Sequence, residues 1–115
     1  MRKISDLVPV LHAEVVAGAE NLDREVHDFA ASDLLSDVLA FEKENYVLLT
    51  GLTNAQIIRT ADITSACCVV ILRGKQPQAG AVSLAKSSSI PLLISPLGMF
   101  EACSRLTEKF GSKPD

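Results

Sequence analysis

The sequence predicts an α/β fold: a single three-layer-like domain in which helices flank a mostly parallel sheet. A length of 115 residues fits one domain with one hydrophobic core. From Tyr46 onward, strand-like and helix-like segments alternate, which is typical of right-handed βαβ crossovers. Residues 66–72 form an unbroken apolar run, the pattern of a strand buried on both faces of a parallel sheet.

The first quarter of the chain predicts one helix and two short strands. Apolar residues at spacings of three and four indicate an amphipathic helix: Ile4, Leu7, Val8 and Leu11. Pro9 is expected near the start of that helix, where its missing N–H costs least. Residues 14–17 form a strand that ends at Gly18, a polar turn spans 19–25, and a second weak strand spans 26–31.

A capped helix is predicted at 33–41. The Ser32 hydroxyl is expected to cap it, and the Asp33 carboxylate to lie at its positive end. Asp33 and Asp37 are one turn apart in such a helix. A carboxylate pair at this spacing either binds a cation or marks a solvated surface, and we favour the solvated surface.

The next unit is a buried strand at 46–50 that ends at Gly51, followed by a helix. Thr53 and Gln56 have the spacing of a capping box, in which each side chain bonds to the backbone near the other residue. The helix is expected to run to about Asp62.

The last part of the chain repeats this alternation, with a loop at 73–77, a helix at 78–88 and a strand at 91–95. Ser95 before Pro96 is expected to cap the final helix, which Gly111 ends. The single domain is therefore expected to span 1–111, with 112–115 as a frayed tail.

Composition argues against several classes of function. The net charge is −3, from 11 basic and 14 acidic residues, and no basic cluster is longer than Arg2-Lys3. A nucleic-acid partner is not expected, because such proteins present a basic stripe or face. No membrane partner is expected either, since the longest apolar run, 66–72, is too short to span a bilayer.

The cysteines indicate a reducing compartment. Their odd number and irregular spacing fit neither a disulfide framework nor an iron–sulfur site, so a cytoplasmic location is predicted. Cys67 and Cys68 are adjacent, so in a strand they are expected to face opposite sides. The chain opens without the apolar run of a signal peptide.

Candidate ligand-binding residues lie where the predicted parallel strands end, since ligands of open α/β sheets bind beyond the carboxyl ends of the strands. They are Thr50, Gly51, Thr53, Asn54, Arg73, Gly74 and Ser95. The expected roles are backbone donors, capping hydroxyls and one cationic anchor for an anion, with Lys75 adding charge. The alternative is that the hydroxyls only cap helices and that Arg73 is solvated.

Motifs for direct catalysis are missing from the sequence. It contains neither the P-loop pattern nor G-x-G-x-x-G. His12 and His27 have no second ligand at metal spacing, and no nucleophile–base pair is visible. We therefore expect no catalytic residue, no metal and no cofactor.

Three segments carry a family resemblance: 22–26 (LDREV), 31–39 (ASDLLSDVL) and 90–97 (IPLLISPL). They resemble the DRTGG domain family, in which the matching positions here are Asp23, Arg24, Ser32, Asp33 and Asp37. Residues 25–28 (EVHD) replace the threonine and the glycine pair that name the family, which puts any ligand role of those glycines in doubt here.

The resemblance implies a fold like the N-terminal domain of HPr kinase/phosphorylase. It also implies a non-catalytic, often dimerising regulatory module, as in some phosphotransacetylases and CBS-type pyrophosphatases. The function expected first is thus a stand-alone homodimeric regulatory module that senses a small anionic or nucleotide-like ligand. The alternative is a structural adaptor that docks onto a larger metabolic or redox enzyme. A phosphotransfer-related enzyme ranks third.

Overall fold

A computed structural model describes residues 2–111, which contain five strands and five α-helices. In chain order they are α1 (Ile4–Leu11), β1 (Glu14–Ala17), β2 (Asp28–Ala31), α2 (Leu35–Leu39), β3 (Tyr46–Thr50), α3 (Ala55–Ile63), β4 (Ala66–Ile71), α4 (Ala79–Ser87), β5 (Leu92–Ile94) and α5 (Met99–Phe110). The tail expected at 112–115 lies outside the described residues. Within this range, no helix has the length and apolar character needed to cross a membrane.

The five strands form one sheet in the order β1-β5-β4-β3-β2. Strands β2 to β5 run parallel to one another, and β1 pairs antiparallel with β5. Because consecutive parallel strands are neighbours, right-handed crossovers place α2, α3 and α4 on one face. Helices α1 and α5 contact each other over the opposite face. The predicted three-layer domain with a mostly parallel sheet is confirmed.

Two apolar clusters hold the layers together, and β3 supplies both. Tyr46 and Leu48 pack with residues of α2, α3 and α4, whereas Val47 and Leu49 pack with residues of α1 and α5. All five residues of β3 and all six of β4 are buried. The continuous apolar runs in the sequence are therefore the two central strands of the sheet.

The prediction that Cys67 and Cys68 face opposite sides of the sheet is wrong. Tyr46 pairs with Ala66 and Val47 pairs with Cys68, so Cys67 is an extra residue in the ladder. This irregularity places both cysteines in the cluster under α1 and α5. A one-residue bulge changes which face the neighbouring side chains take.

Pro9 is the sixth of eight residues in α1, so the prediction that it lies near the helix start is wrong. Its missing N–H removes the bond that the Ser5 carbonyl would accept. The helix ends two residues later, at Leu11, and His12 adopts a left-handed conformation with φ 52. Because Pro9 lies close to the helix end, its effect on the helix is confined to the last turn.

Helix α2 begins at Leu35, two residues after the predicted start, and Leu34 is its N-cap. The Ser32 hydroxyl accepts a hydrogen bond from the Leu34 N–H at 3.0 Å and so closes a turn ahead of the helix. Asp33 therefore lies outside α2. The prediction that Asp33 and Asp37 share one helix face is wrong, because the Asp33 carboxylate bonds to a neighbouring strand end instead.

Candidate functional site

The carboxyl ends of β2, β3 and β4 lie side by side at one edge of the sheet. Groups that can bond to a ligand follow each of these ends: the Asp33 carboxylate after β2, the Gly51 backbone after β3, and the Arg73 and Lys75 side chains after β4. We call these four residues, together with Thr50, the strand-end cluster. It is the kind of edge where ligands of open parallel sheets bind.

The Asp33 carboxylate joins the three strand ends. Its Oδ1 accepts a hydrogen bond from the Gly51 N–H at 2.5 Å and one from the Thr50 hydroxyl at 3.4 Å. Its Oδ2 lies 3.3 Å from Nη2 of Arg73. A backbone N–H and a guanidinium thus already hold one anionic group, which is how proteins hold carboxylates and phosphates.

Gly51 lies where two side chains approach the backbone closely. A Cβ at this position would collide with the Arg73 guanidinium and lie 3.2 Å from Oδ1 of Asp33. The Lys75 ammonium donates to the Gly51 carbonyl at 3.2 Å. A side chain at this position would push the end of Arg73 away from Asp33, so glycine allows the carboxylate and the guanidinium to meet over this stretch of backbone.

The loop after β4 orients Arg73 through an unusual backbone conformation. Arg73 and Gly74 have φ values of 60 and 66, both left-handed. The Arg73 N–H donates to the Leu97 carbonyl and the Gly74 N–H to the Ser95 carbonyl, each at 2.8 Å. Such strain in a non-glycine residue persists where surrounding bonds fix it, and it clusters at functional positions.

The surroundings of Asp33 favour its charged form. The hydrogen bond from the Gly51 N–H lowers the pKa of the Asp33 carboxyl most, burial opposes this, and the Arg73 guanidinium lowers it further. The side chains of Arg73 and Asp33 are 42% and 47% exposed. Solvent therefore screens the ion pair, which holds the loops in place more than it stabilises the fold.

Acid should remove the stabilisation that the ionised Asp33 carboxylate provides. Because the folded pKa of Asp33 lies below its unfolded value, the ionised group stabilises the fold above about pH 4. That contribution is lost as the pH falls through the folded pKa. We expect urea denaturation at stepwise lower pH to show the wild type approaching the stability of Asp33→Asn. A stability difference unchanged at the lowest pH would contradict this.

Several predicted ligand residues are sealed inside the protein. Thr50 and Ser95 have no exposed surface. The Ser95 hydroxyl donates to the Leu11 carbonyl at 2.7 Å and accepts from the Leu97 N–H, so it ties α1 to the end of β5. The prediction that Ser95 caps the last helix is wrong, because α5 starts at Met99 with Gly98 as its N-cap.

The cap of α3 is also one residue away from its predicted place. Asn54 is the N-cap, and its side chain accepts from the Ile57 N–H at 3.1 Å. The Gln56 side chain does not close a capping box; it accepts from Arg59. The Thr53 carbonyl accepts from the Gln78 N–H, which joins this loop to the start of α4.

The turn that carries the family resemblance lies at the other end of the sheet. Glu25 bridges to Lys3 just before β2, and Arg24 lies near Cys67 at the start of β4. His27 lies 3.2 Å from Glu25 and is half exposed. Asp23 and Arg24 therefore do not join the strand-end cluster, whereas Asp33 does.

The cysteines offer no reactive thiolate. Burial raises the pKa of the Cys67 thiol to about 11 and raises the pKa values of Cys68 and Cys103 as well. Thiols with raised pKa values stay protonated at neutral pH and are poor nucleophiles and metal ligands. In the part of the chain that the structure describes, no three potential metal ligands converge.

The sequence does not predict Asp33 as a ligand-site residue, although it predicts Lys75 as a supporting charge. The sequence predicts Asp33 at the start of a helix, yet both side chains bond to Gly51. The rule that identified the other strand ends would have identified Asp33 too, had it been applied to β2. The signal was a charged residue two positions after a short strand.

Comparison with known proteins identifies the fold. No protein-family model and no curated protein matches the sequence. A crystal structure of the CBS and DRTGG domains of the regulatory region of Clostridium perfringens pyrophosphatase, complexed with its activator diadenosine tetraphosphate, has a TM-score of 0.75 and 17% sequence identity to this chain. The match covers 90% of this chain and 45% of that one. The chain thus has a DRTGG-like fold, as its sequence suggested.

Proposed function

We propose that this protein is a non-catalytic regulatory module that homodimerises and binds a small anionic or nucleotide-like ligand at the strand-end cluster. The observation that carries the proposal is the Asp33 carboxylate, held between the Gly51 N–H and the Arg73 guanidinium. Two donors that hold a carboxylate also suit a phosphate oxygen.

The charge of the cluster favours an anion. Arg73 and Lys75 oppose the single carboxylate of Asp33, which leaves one net positive charge at this edge of a protein whose overall charge is −3. Arg73, Gly74 and Lys75 are exposed, and Thr53 and Asn54 are half-buried beside them. An incoming phosphate can therefore reach the guanidinium and the ammonium from solvent.

Binding at this edge requires an exchange of partners. Because the Gly51, Arg73 and Gly74 N–H groups all bond within the protein, an anion gains the Gly51 donor only by displacing Asp33. We infer that the ligand takes the place of this carboxylate. The loop that holds Asp33, between β2 and α2, then moves, which would make ligand binding visible to a partner.

Thermal unfolding with ATP, acetyl phosphate and inorganic phosphate tests the proposal. A ligand at 100 times its Kd stabilises a folded protein by about 2.7 kcal/mol, or roughly 10 °C in Tm for a domain of this size. We expect such a rise with at least one of the three. Arg73→Gln should weaken that ligand by about tenfold or more, because a charge-assisted hydrogen bond is lost.

The matched control is Lys86→Gln, which removes one positive charge from the last turn of α4. It should leave the ligand response unchanged, because this turn lies at the end of α4 remote from the strand-end cluster. Equal losses in both variants would point to non-specific charge attraction. A wild type that none of the three anions stabilises would refute the ligand part of the proposal.

A second candidate function is an adaptor that docks onto a larger enzyme. Three large apolar side chains on α2 and at the end of α3 favour it: Leu34 and Leu39 are each 57% exposed and Ile63 is 69% exposed. Helices α2 and α3 contact each other, so these side chains lie on the same side of the sheet. Binding of a purified partner that Ile63→Asp abolishes, without any response to anions, would select this function.

An enzymatic function ranks last among the candidate functions. A phosphotransfer enzyme would need a nucleophile with a base beside it. Release of phosphate from ATP that Arg73→Gln abolishes would establish a phosphotransfer enzyme.

We propose a cytoplasmic location for the protein. Its free cysteines, of which Cys67 and Cys68 are buried, suit that reducing compartment.

A further inference from the structure

A cavity of about 320 Å³ lies between strand β2 and helix α5. It opens on the sheet face that α1 and α5 cover, where Phe29 and Ala31 of β2 are only partly buried. Its lining is mainly apolar: Phe29, Ala30, Ala31, Leu49, Cys103 and Leu106. Arg2 also lines it, with its guanidinium carbon 5.2 Å from the centre of the Phe29 ring. The fold thus leaves an apolar hollow beside its outermost parallel strand.

The most exposed large apolar side chain of the described residues lies on the same helix. Phe100, in the first turn of α5, is 89% exposed. Cys103 and Thr107 follow it at spacings of three and four, so the three share one side of the helix. Both Cys103 and Thr107 also line the cavity. A protruding ring and a hollow therefore belong to one continuous surface.

From this geometry we propose that two copies of the chain pair through their α5 helices around a two-fold axis, each Phe100 entering the cavity of the other copy. The proposal rests on the homodimer of the proposed function and assigns it a surface. We call that surface the α5–β2 surface: Phe29, Ala31, Phe100, Cys103 and Thr107.

The spacing along α5 fits a two-fold axis. In antiparallel helices that cross between Cys103 and Ser104, Phe100 of one copy lies opposite Thr107 of the other. An isologous interface requires this reciprocity, because the same patch serves both copies. Cys103 and Ser104 are small, so the helices can approach closely where they cross.

Charge and hydrogen bonding favour a second copy over other occupants. The five residues of the surface are uncharged, and the charged residues near them already have partners. Glu101 and Arg105 pair at 3.2 Å on their own helix. Asp28, which also lines the cavity, pairs with Lys43, and the Arg2 guanidinium donates to the Val26 and His27 carbonyls. Interface cores are depleted of charge in this way. Pairing through the edge of β2 is disfavoured, because the Phe29 N–H donates to its neighbour Asp28 at 2.8 Å. Packing through α5 is therefore favoured over pairing through β2.

Sedimentation velocity of the wild type, Phe100→Asp and Ile63→Asp tests the surface. Ile63 is the matched control, since it is an exposed apolar residue on the opposite face of the sheet. We expect a wild-type mass of twice 12.3 kDa. Phe100→Asp should raise the dimer dissociation constant by about 30-fold or more, and Ile63→Asp should leave it unchanged. Far-UV circular dichroism checks that each variant is folded.

The possible outcomes separate the surface from the dimer itself. A dimer that persists in Phe100→Asp and dissociates in Ile63→Asp would overturn this surface while leaving homodimerisation intact. A monomeric wild type would refute homodimerisation as well, but the anion response at the strand-end cluster would be untouched. An unchanged dimer in both variants would also overturn the proposal.

A short bismaleimide cross-linker gives a second measurement. Cys103 lies next to the proposed axis and is partly accessible, whereas Cys67 and Cys68 are buried. Because burial raises the pKa of the Cys103 thiol, the reagent is applied at alkaline pH, where part of the thiol ionises. It should then join two wild-type chains through Cys103 and should join none in Cys103→Ser or Phe100→Asp. A wild type that sediments as a dimer and yields no cross-linked product would place the axis elsewhere.

Discussion

Replacing Gly18 by alanine is expected to lower the free energy of unfolding by about 3 kcal/mol, the largest effect on stability among the substitutions considered. Gly18 directly follows β1 and has φ 80, a left-handed conformation that alanine adopts at a cost. A Cβ there would lie 2.6 Å from Cα of Pro91 and 2.8 Å from its nitrogen. Backbone atoms at the start of β5 cannot move aside without breaking the β1–β5 pairing.

Thermal unfolding measures this effect, with a Tm expected to fall by roughly 12 °C. Two other glycines separate the cost of the positive φ from the cost of the contact with Pro91. Gly111→Ala has the positive φ without a close neighbour, and Gly98→Ala has neither. We expect the losses to rank Gly18 well above Gly111, and Gly111 above Gly98. Similar losses for Gly18 and Gly111 would mean that the contact with Pro91 relaxes freely.

Asp33→Asn is expected to tighten the affinity for ATP by about tenfold, the largest gain in binding among the substitutions considered. The carboxylate competes with the ligand for the Gly51 N–H and the Arg73 guanidinium, and it also repels the ligand. Removing one negative charge a few ångströms from an anion changes its binding by on the order of 1 to 4 kcal/mol. Asparagine keeps the shape of the side chain and an acceptor for Gly51.

Isothermal titration with ATP measures this change, and Asp37→Asn is the matched control. Asp37 is an exposed carboxylate in the first turn of α2, four residues along the chain. Its removal should alter the affinity much less, because Asp37 forms no bond with the strand-end cluster. A weaker affinity in Asp33→Asn would mean that the carboxylate contacts the ligand directly and is not displaced by it.

The central architecture could be predicted because it depends on long, regular patterns. Residues 66–72 and 46–49 are apolar without interruption, so few structures other than buried parallel strands suit them. The alternation after Tyr46 then fixes the handedness of the crossovers and the layers. Helix α5 ends just before Gly111, as predicted, and α3 ends at Ile63, one residue after its predicted end at about Asp62.

The helix starts and the site were harder to predict than the strands. Their polar side chains can bond either to the nearby helix start or to residues distant in sequence. Ser95 and Asp33 both have the chemistry of a helix cap. In the folded chain, Ser95 bonds to Leu11 and Asp33 bonds to Gly51, each far away in sequence. Local spacing cannot distinguish these outcomes, since both satisfy the same oxygen atoms. The extra residue at Cys67 could not be predicted either, because the two-residue alternation of side chains along a strand gives no sign of a bulge.

The contact of α1 with α5 has a consequence for how such a domain can be built into larger proteins. Arg2 and Gly111, at the two limits of the described chain, line the same cavity. The two limits of the described chain therefore lie close together at the surface, so connecting both to another polypeptide would not require the sheet to change. Such a unit can be spliced into a surface loop of a host protein, or have its own ends joined and new ones cut elsewhere.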